Sequence, residues 1–191
     1  MAVAAALLPP TITSPRGMPR LLGRPTMDPR PLPNLWPGNC FGCSPRNPHG
    51  LKLQFSRTRD GVSTRCELDR HLCGMDGVAH GGIVATLLDE ASAWALVVHA
   101  GRLGFATDMN IRFAKPVQVG SPLIVQAFVV ELDANDARTF AEVKTGHDTM
   151  LAVATSTWTL LSPAVAAGFM GLDCERLEQF IAAVHDPAKP D

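Results

Sequence analysis

From Leu51 the apolar positions recur at every second residue. Leu51, Leu53 and Phe55 alternate with Lys52, Gln54 and Ser56, and Val62, Thr64, Cys66 and Leu68 keep the same rhythm. With Asp60-Gly61 between them, the two runs predict a β-hairpin. A loop through Gly74 and Gly77 follows, and then the period lengthens. Ile83, Leu87, Ala91, Trp94 and Val98 trace a stripe near 3.6-residue spacing, predicting a helix over 81–100 that Gly101 and Gly104 end. Four strand-like runs come next: Phe105–Phe113, Leu123–Leu132, Thr139–Thr145 and Leu151–Leu160. Their separators are Lys115-Pro116 through Ser121-Pro122, then Asp133–Ala137, then Gly146-His147-Asp148. One long helix and a series of antiparallel strands form an α+β arrangement, a curled sheet of about six strands wrapped around the helix. Beyond Pro163, the amphipathic stretch Cys174–Val184 predicts a short helix packed on the body or on a neighbour.

The N-terminal stretch differs in kind. Residues 1–34 carry Pro9, Pro10, Pro15, Pro19, Pro25, Pro29, Pro31 and Pro33, a density that forbids a stable helix and predicts extended, disordered chain. The expected organisation is therefore a disordered segment (1–34), a folded domain (35–162) and a C-terminal extension (163–191). Arg16, Arg20 and Arg24 precede the first acid, a weak likeness to a mitochondrial transit peptide that the repeated prolines oppose. An internal start at Met18 or Met27 explains the segment equally well.

Composition narrows the class. A chain of 191 residues with 46% hydrophobic content is ample for one packed core. A net charge of −1 argues against a nucleic-acid binder that works by neutralising phosphates. The longest apolar run, Ala91–Ala100, is broken by Ser92 and His99 and falls short of the ~18–20 residues of a bilayer span. A soluble, cytoplasmic protein without a membrane span is the expectation, a mitochondrial address being left open by the arginines.

The chemistry concentrates in Gly77-Val78-Ala79-His80-Gly81-Gly82, which runs directly into the apolar helix carrying Asp89 and Glu90. Glycines permit close approach of a ligand, and the first helical turn offers unpaired N–H groups whose dipole polarises a carbonyl oxygen. Amides near Gly82 thus form a candidate oxyanion hole, with Gly81 beside them for the acyl carbonyl. Asp89 lies on a small-residue face with Gly82, Ala85 and Ala93, where an unpartnered carboxylate costs several kcal/mol on typical scales. Glu90 fits better as a solvated acid on the outer face. His80 either fixes the turn through the backbone or takes part in the chemistry. The layout points to acyl transfer or hydrolysis.

The five cysteines, Cys40, Cys43, Cys66, Cys73 and Cys174, are odd in number and scattered, unlike a secreted disulfide framework. Cys40-Phe41-Gly42-Cys43 is a lone C-x-x-C. A zinc site wants a second pair or two spaced histidines, for which His71 and Cys73 are the nearest candidates. The stretch Cys40–Leu51 reads as a packing and turn motif, so neither metal nor cofactor is expected.

The segment from Gly77 to Glu90 resembles the signature of the hotdog-fold acyl-CoA thioesterases of the PaaI type. Thr107–Val117, with its Lys115-Pro116 turn, resembles the strand that follows in that family, and Trp158-Thr159-Leu160-Leu161 its closing strand. The likeness covers roughly residues 35–162. It is strongest to the branch holding the human thioesterase superfamily members 4 and 5, where the spacing of Gly74, Gly77, His80, Gly81 and Gly82 recurs. The resemblance implies a hotdog fold with Asp89, nine positions after His80, as catalytic acid. It also implies Thr107 as the residue that orients water from the neighbouring subunit, within a homodimer or a homotetramer built as a dimer of dimers. One departure is Gly74, where other branches place Asn or Gln.

On this reading the substrate is an acyl-CoA or acyl-carrier thioester, cleaved to acid and thiol. Asp89 acts as general base or nucleophile. Arg112 and Lys115 are suited to coenzyme A phosphates, although a solvated strand end accounts for them nearly as well. The alternatives are a non-catalytic acyl-CoA-binding protein on the same fold and an enoyl-thioester hydratase.

Overall fold

The floor beneath the central helix is built of alanines. Ala127, Ala141 and Ala154 stand opposite one another on three adjacent strands, all essentially inaccessible to solvent. Alanine is a poor strand former, so its use here reflects the need to let a helix lie close. The computed structural model describes residues 27–59 and 61–185. The run of prolines up to residue 26, and Asp60 of the expected turn, lie outside the described residues.

The helix, α1 (Gly81–Ala100), packs mainly on two strands, β7 (Leu123–Leu132) and β8 (Asp136–Thr145). It also touches β3 (Gly61–Cys66), β6 (Leu103–Phe113) and β9 (Met150–Leu161), so the sheet wraps it. With β1 (Met27–Pro31) and β2 (Ser56–Thr58) the antiparallel sheet has seven strands in the order β1-β2-β3-β7-β8-β9-β6. By length and composition α1 is apolar enough to cross a membrane. Its residues Leu87, Leu88, Ala91, Trp94 and Leu96 are instead buried in the domain, as in the core helix of a globular fold. Gly101 ends it at φ +60°, donating its N–H to the Val97 carbonyl.

The long strands agree with the expected strand-like runs to within a few residues, and the departures elsewhere have physical reasons. Leu51–Phe55 is not half of a hairpin, since only Ser56 and Arg57 pair across to Ser63 and Val62. The Leu51 and Leu53 amides bond instead to the Phe41 and Gly42 carbonyls, while Leu53 and Phe55 bury their side chains. Their alternation records one-sided burial under a loop rather than a ladder. β1 lies within the segment expected to be disordered. It is the sheet's edge strand, where prolines, lacking an N–H, are tolerated. The loop expected through Gly74 and Gly77 is a two-stranded ribbon, β4 (Cys73–Met75) with β5 (Val78–Ala79), turned by Gly77 at φ +79°.

After β9 come α2 (Pro163–Met170), unforeseen from the sequence, and α3 (Cys174–Val184). Phe180 of α3 meets Trp94 of α1 at 5.6 Å and Trp36 at 5.2 Å, both edge to face, and Trp94 stacks on Phe55. The helix therefore packs on the chain's own body. Phe180→Ala is expected to cost about 3–5 kcal/mol in denaturant unfolding. Leu132→Ala, at a half-exposed strand end, should stay within about 1 kcal/mol.

Candidate active site

His80 is the N-cap of α1. Its Nδ1 accepts the Gly82 N–H at 2.9 Å, so the neutral ring carries its proton on Nε2. Its backbone carbonyl accepts from the Ile83 and Val84 amides, and its own N–H donates to the Leu72 carbonyl. The glycines around it have separate uses. A Cβ on Gly82 would stand 3.0 Å from Nδ1, and one on Gly74 would stand 3.1 Å from the His80 Cα. Gly74, the departure from the related pattern, thus lets β4 lie against the histidine. A Cβ on Gly81 would meet nothing nearer than the Phe113 ring at 3.7 Å. No intrachain crowding demands glycine at that exposed position.

This corrects the expectation for the helix amides. The Gly82 N–H is committed to His80, and the Gly81 N–H is the amide of the first turn with no acceptor among the described residues.

Asp89 sits two turns into α1, partly buried, and accepts no hydrogen bond from any described residue. Burial first, and then negative charge at Cys40, hold its carboxyl above the usual aspartate range. Glu90 is not the solvated acid that helical spacing suggests. Its Oε2 accepts from Cys40 Sγ at 3.2 Å and its Oε1 from Trp94 Nε1 at 3.3 Å. Burial, then charge at Cys40, push it up to about 8. The loop over residues 36–50 covers that face of the helix, a long-range contact that local periodicity does not register. The same interactions drive the Cys40 thiol down and the Cys43 thiol up, chiefly through the hydrogen bond the two share.

Thr107 lies in a β-bulge. Ala106 pairs with Trp158 and Asp108 with Thr157, which leaves Thr107 as the extra residue on the free edge strand. It is exposed, and its hydroxyl donates to the Thr157 carbonyl at 3.2 Å. No hydrogen bond joins it to Asp89 within the chain. Arg112 and Lys115 are exposed, and neither forms an ion pair with a described residue. Phe113, between them, rests near Gly81 and brings this end of β6 beside the helix start. A cavity of about 130 Å³ opens elsewhere, behind Glu90, among Trp36, Cys40, Cys43, Trp94 and Phe180. His80, Asp89 and Thr107 do not line it.

A single helix in an antiparallel sheet, with a His-Gly-Gly start and an acid two turns on, defines a hotdog domain. Residues 76–152 match the family model of the Thioesterase superfamily. Human acyl-coenzyme A thioesterase 13 is 38% identical over 56 residues, 29% of this chain and 40% of that protein. The chain thus spans about two fifths of the length of the curated relatives it first matches. Among solved structures, the Escherichia coli PaaI protein from the phenylacetic acid degradation operon aligns with a TM-score of 0.54 and 18% identity. That alignment covers 59% of this chain and 81% of that one. A Streptococcus pneumoniae hypothetical thioesterase, solved with coenzyme A, gives 0.53 and 21%, over 58% and 86%.

The cap geometry yields a stability test. His80→Ala removes the acceptor for the Gly82 N–H and is expected to cost about 1 kcal/mol in chemical denaturation. His80→Asn, which supplies a new capping oxygen, should recover most of that loss.

Proposed function

We propose that this domain hydrolyses acyl-CoA thioesters to a free acid and the coenzyme thiol. The observation that carries the reading is Asp89: a partly buried carboxylate, nine residues after the His80 cap, raised in pKa and accepting no hydrogen bond from a described residue. Such a group is available to take a proton. As general base, Asp89 accepts a proton from water while the water oxygen bonds to the acyl carbon. The C–S bond then breaks and the thiolate leaves to be protonated. As nucleophile, Asp89 instead displaces the thiolate to form an acyl anhydride, which water opens at the Asp89 carbonyl to release the acid. Single turnover in heavy-oxygen water separates the two, labelling the Asp89 carboxyl only in the second.

The Gly81 N–H, open at the helix start, is the proposed donor to the carbonyl oxygen, and Arg112 and Lys115 the proposed phosphate contacts. The relatives' names and the coenzyme-bound neighbour support coenzyme A as the carrier. Asp89→Asn is expected to lower turnover by roughly two orders of magnitude or more, read as free thiol released from a panel of acyl-CoA thioesters. Turnover near normal removes the assignment. The rival reading, a binding domain without catalysis, is favoured by Gly74 in place of a side-chain amide. It predicts acyl-CoA binding with no thiol release by the unmutated protein.

The site is further proposed to form between two subunits. β6 is an eleven-residue free edge with Phe105 and Phe113 exposed, an arrangement that proteins seldom leave uncovered. It presents Thr107 outward, towards the Asp89 of a neighbour. Co-expressing Asp89→Asn and Thr107→Val chains should then restore activity that each lacks alone, with about a quarter of the sites in a random mixture intact. Full activity of Thr107→Val by itself, or no recovery on mixing, counts against the shared site.

A further inference from the structure

The C-x-x-C absorbed by no step of this chemistry converges with a buried acid. Cys40 Sγ, Cys43 Sγ and a Glu90 carboxylate oxygen all lie within 4.8 Å of one another, with Cys40 Sγ and Glu90 Oε2 at 3.2 Å. Ligand atoms around tetrahedral zinc stand about 3.6–3.8 Å apart, given Zn–S near 2.3 Å and Zn–O near 2.1 Å. We propose that Cys40, Cys43 and Glu90 form a zinc-binding site that fastens the 36–50 loop to the central helix.

Four features of the chain support this. The Gly42 N–H donates to Cys40 Sγ at 3.2 Å, the outer hydrogen bond that orients a thiolate ligand. Gly42 leaves room for this approach, because a Cβ there would displace the Glu90 carboxyl. The loop is held independently of any ion: the Phe41 and Gly42 carbonyls take the Leu51 and Leu53 amides, and Asn34 Nδ2 donates to the Cys43 carbonyl at 2.7 Å. Glu90 meets Cys40, Cys43 and Trp94, and among the described residues no lysine or arginine forms an ion pair with this acidic group.

The donor set also selects the ion. Two thiolates favour a borderline or soft cation, and the carboxylate favours a divalent one, a combination suited to Zn²⁺. Cys40, Cys43 and Glu90 all line the cavity of about 130 Å³, far more than the roughly 10–15 Å³ that a water completing the set needs. His71 and Cys73, the sequence's candidate completers, are not among the three. His71 pairs with Asp69 at 3.6 Å, and Cys73 begins β4. The third donor comes from the helix, fifty residues from Cys40.

The test uses the full chain, reduced and stripped by a chelator, with Co²⁺ as the optical probe and Zn²⁺ as competitor. The expected result is a thiolate-to-cobalt charge-transfer band saturating at one equivalent per chain and displaced by Zn²⁺. It should be absent in Cys40→Ser and Cys43→Ser and retained in Cys66→Ser. Glu90→Gln should bind at least tenfold more weakly, and Zn²⁺ should raise the melting temperature of the parent but not of the two cysteine variants. If circular dichroism shows a cysteine variant unfolded, Glu90→Gln decides. No band in the parent, a band surviving in a folded Cys40→Ser or Cys43→Ser protein, or unweakened binding by Glu90→Gln overturns the site. These readouts do not depend on thioester hydrolysis, so failure here and failure of the hydrolase reading are separate results.

Discussion

Everything in this domain depends on how closely α1 lies in its sheet. The aligned Ala127, Ala141 and Ala154 give up strand propensity and side-chain contact area so that the helix can settle on bare backbone. The helix replies in kind, with Ala91, Ser92 and Ala95 fully buried along its length. A helix so enclosed reaches the surface at its ends, and the N-terminal end carries the His80 cap and the exposed Gly81. The position of the proposed site is thus a consequence of packing small residues against small residues.

Asp89 and Glu90 show how sharply such a helix sorts its neighbours. One residue, a turn of about 100° around the axis, separates them. Asp89 is only partly buried, and its carboxylate has no hydrogen-bond partner among the described residues. Glu90 faces inward beneath the loop, where a thiol and an indole donate to it. Two adjacent acids are thereby given unlike surroundings, one on each side of the helix.

Much of this was legible in the sequence, and the illegible parts share a cause. The bounds of α1 followed from a 3.6-residue stripe closed by Gly101, and those of β7 from a strand-like apolar run between turn signals, because both are local patterns. The His-Gly-Gly start marked the cap and Asp89. What local pattern did not carry was tertiary: the loop covering Glu90, the pairing of β1, α2, and the unpaired state of Leu51–Phe55. Alternation at Leu53 and Phe55 was real, but it reported a buried side rather than a neighbouring strand. The commitment of the Gly82 amide to the imidazole is likewise a matter of rotamer, which residue order does not state.

The bulge at Thr107 has one more consequence. Before it, the even-numbered positions of β6 share a face with the inward side chains of β9: Gly104 lies opposite Leu160 and Ala106 opposite Trp158. After it, the odd-numbered positions do, with Met109 opposite Ser156 and Ile111 opposite Ala154. The strand is thus written in two reading frames, and Thr107 is the letter at which one gives way to the other. A one-residue deletion anywhere between the bulge and Phe113 would leave the remainder out of phase, turning Met109 or Ile111 toward water. Removing Thr107 itself would join the frames into one unbroken ladder. The edge strand's inward packing is therefore most tolerant of loss at the position that the proposed chemistry can least spare.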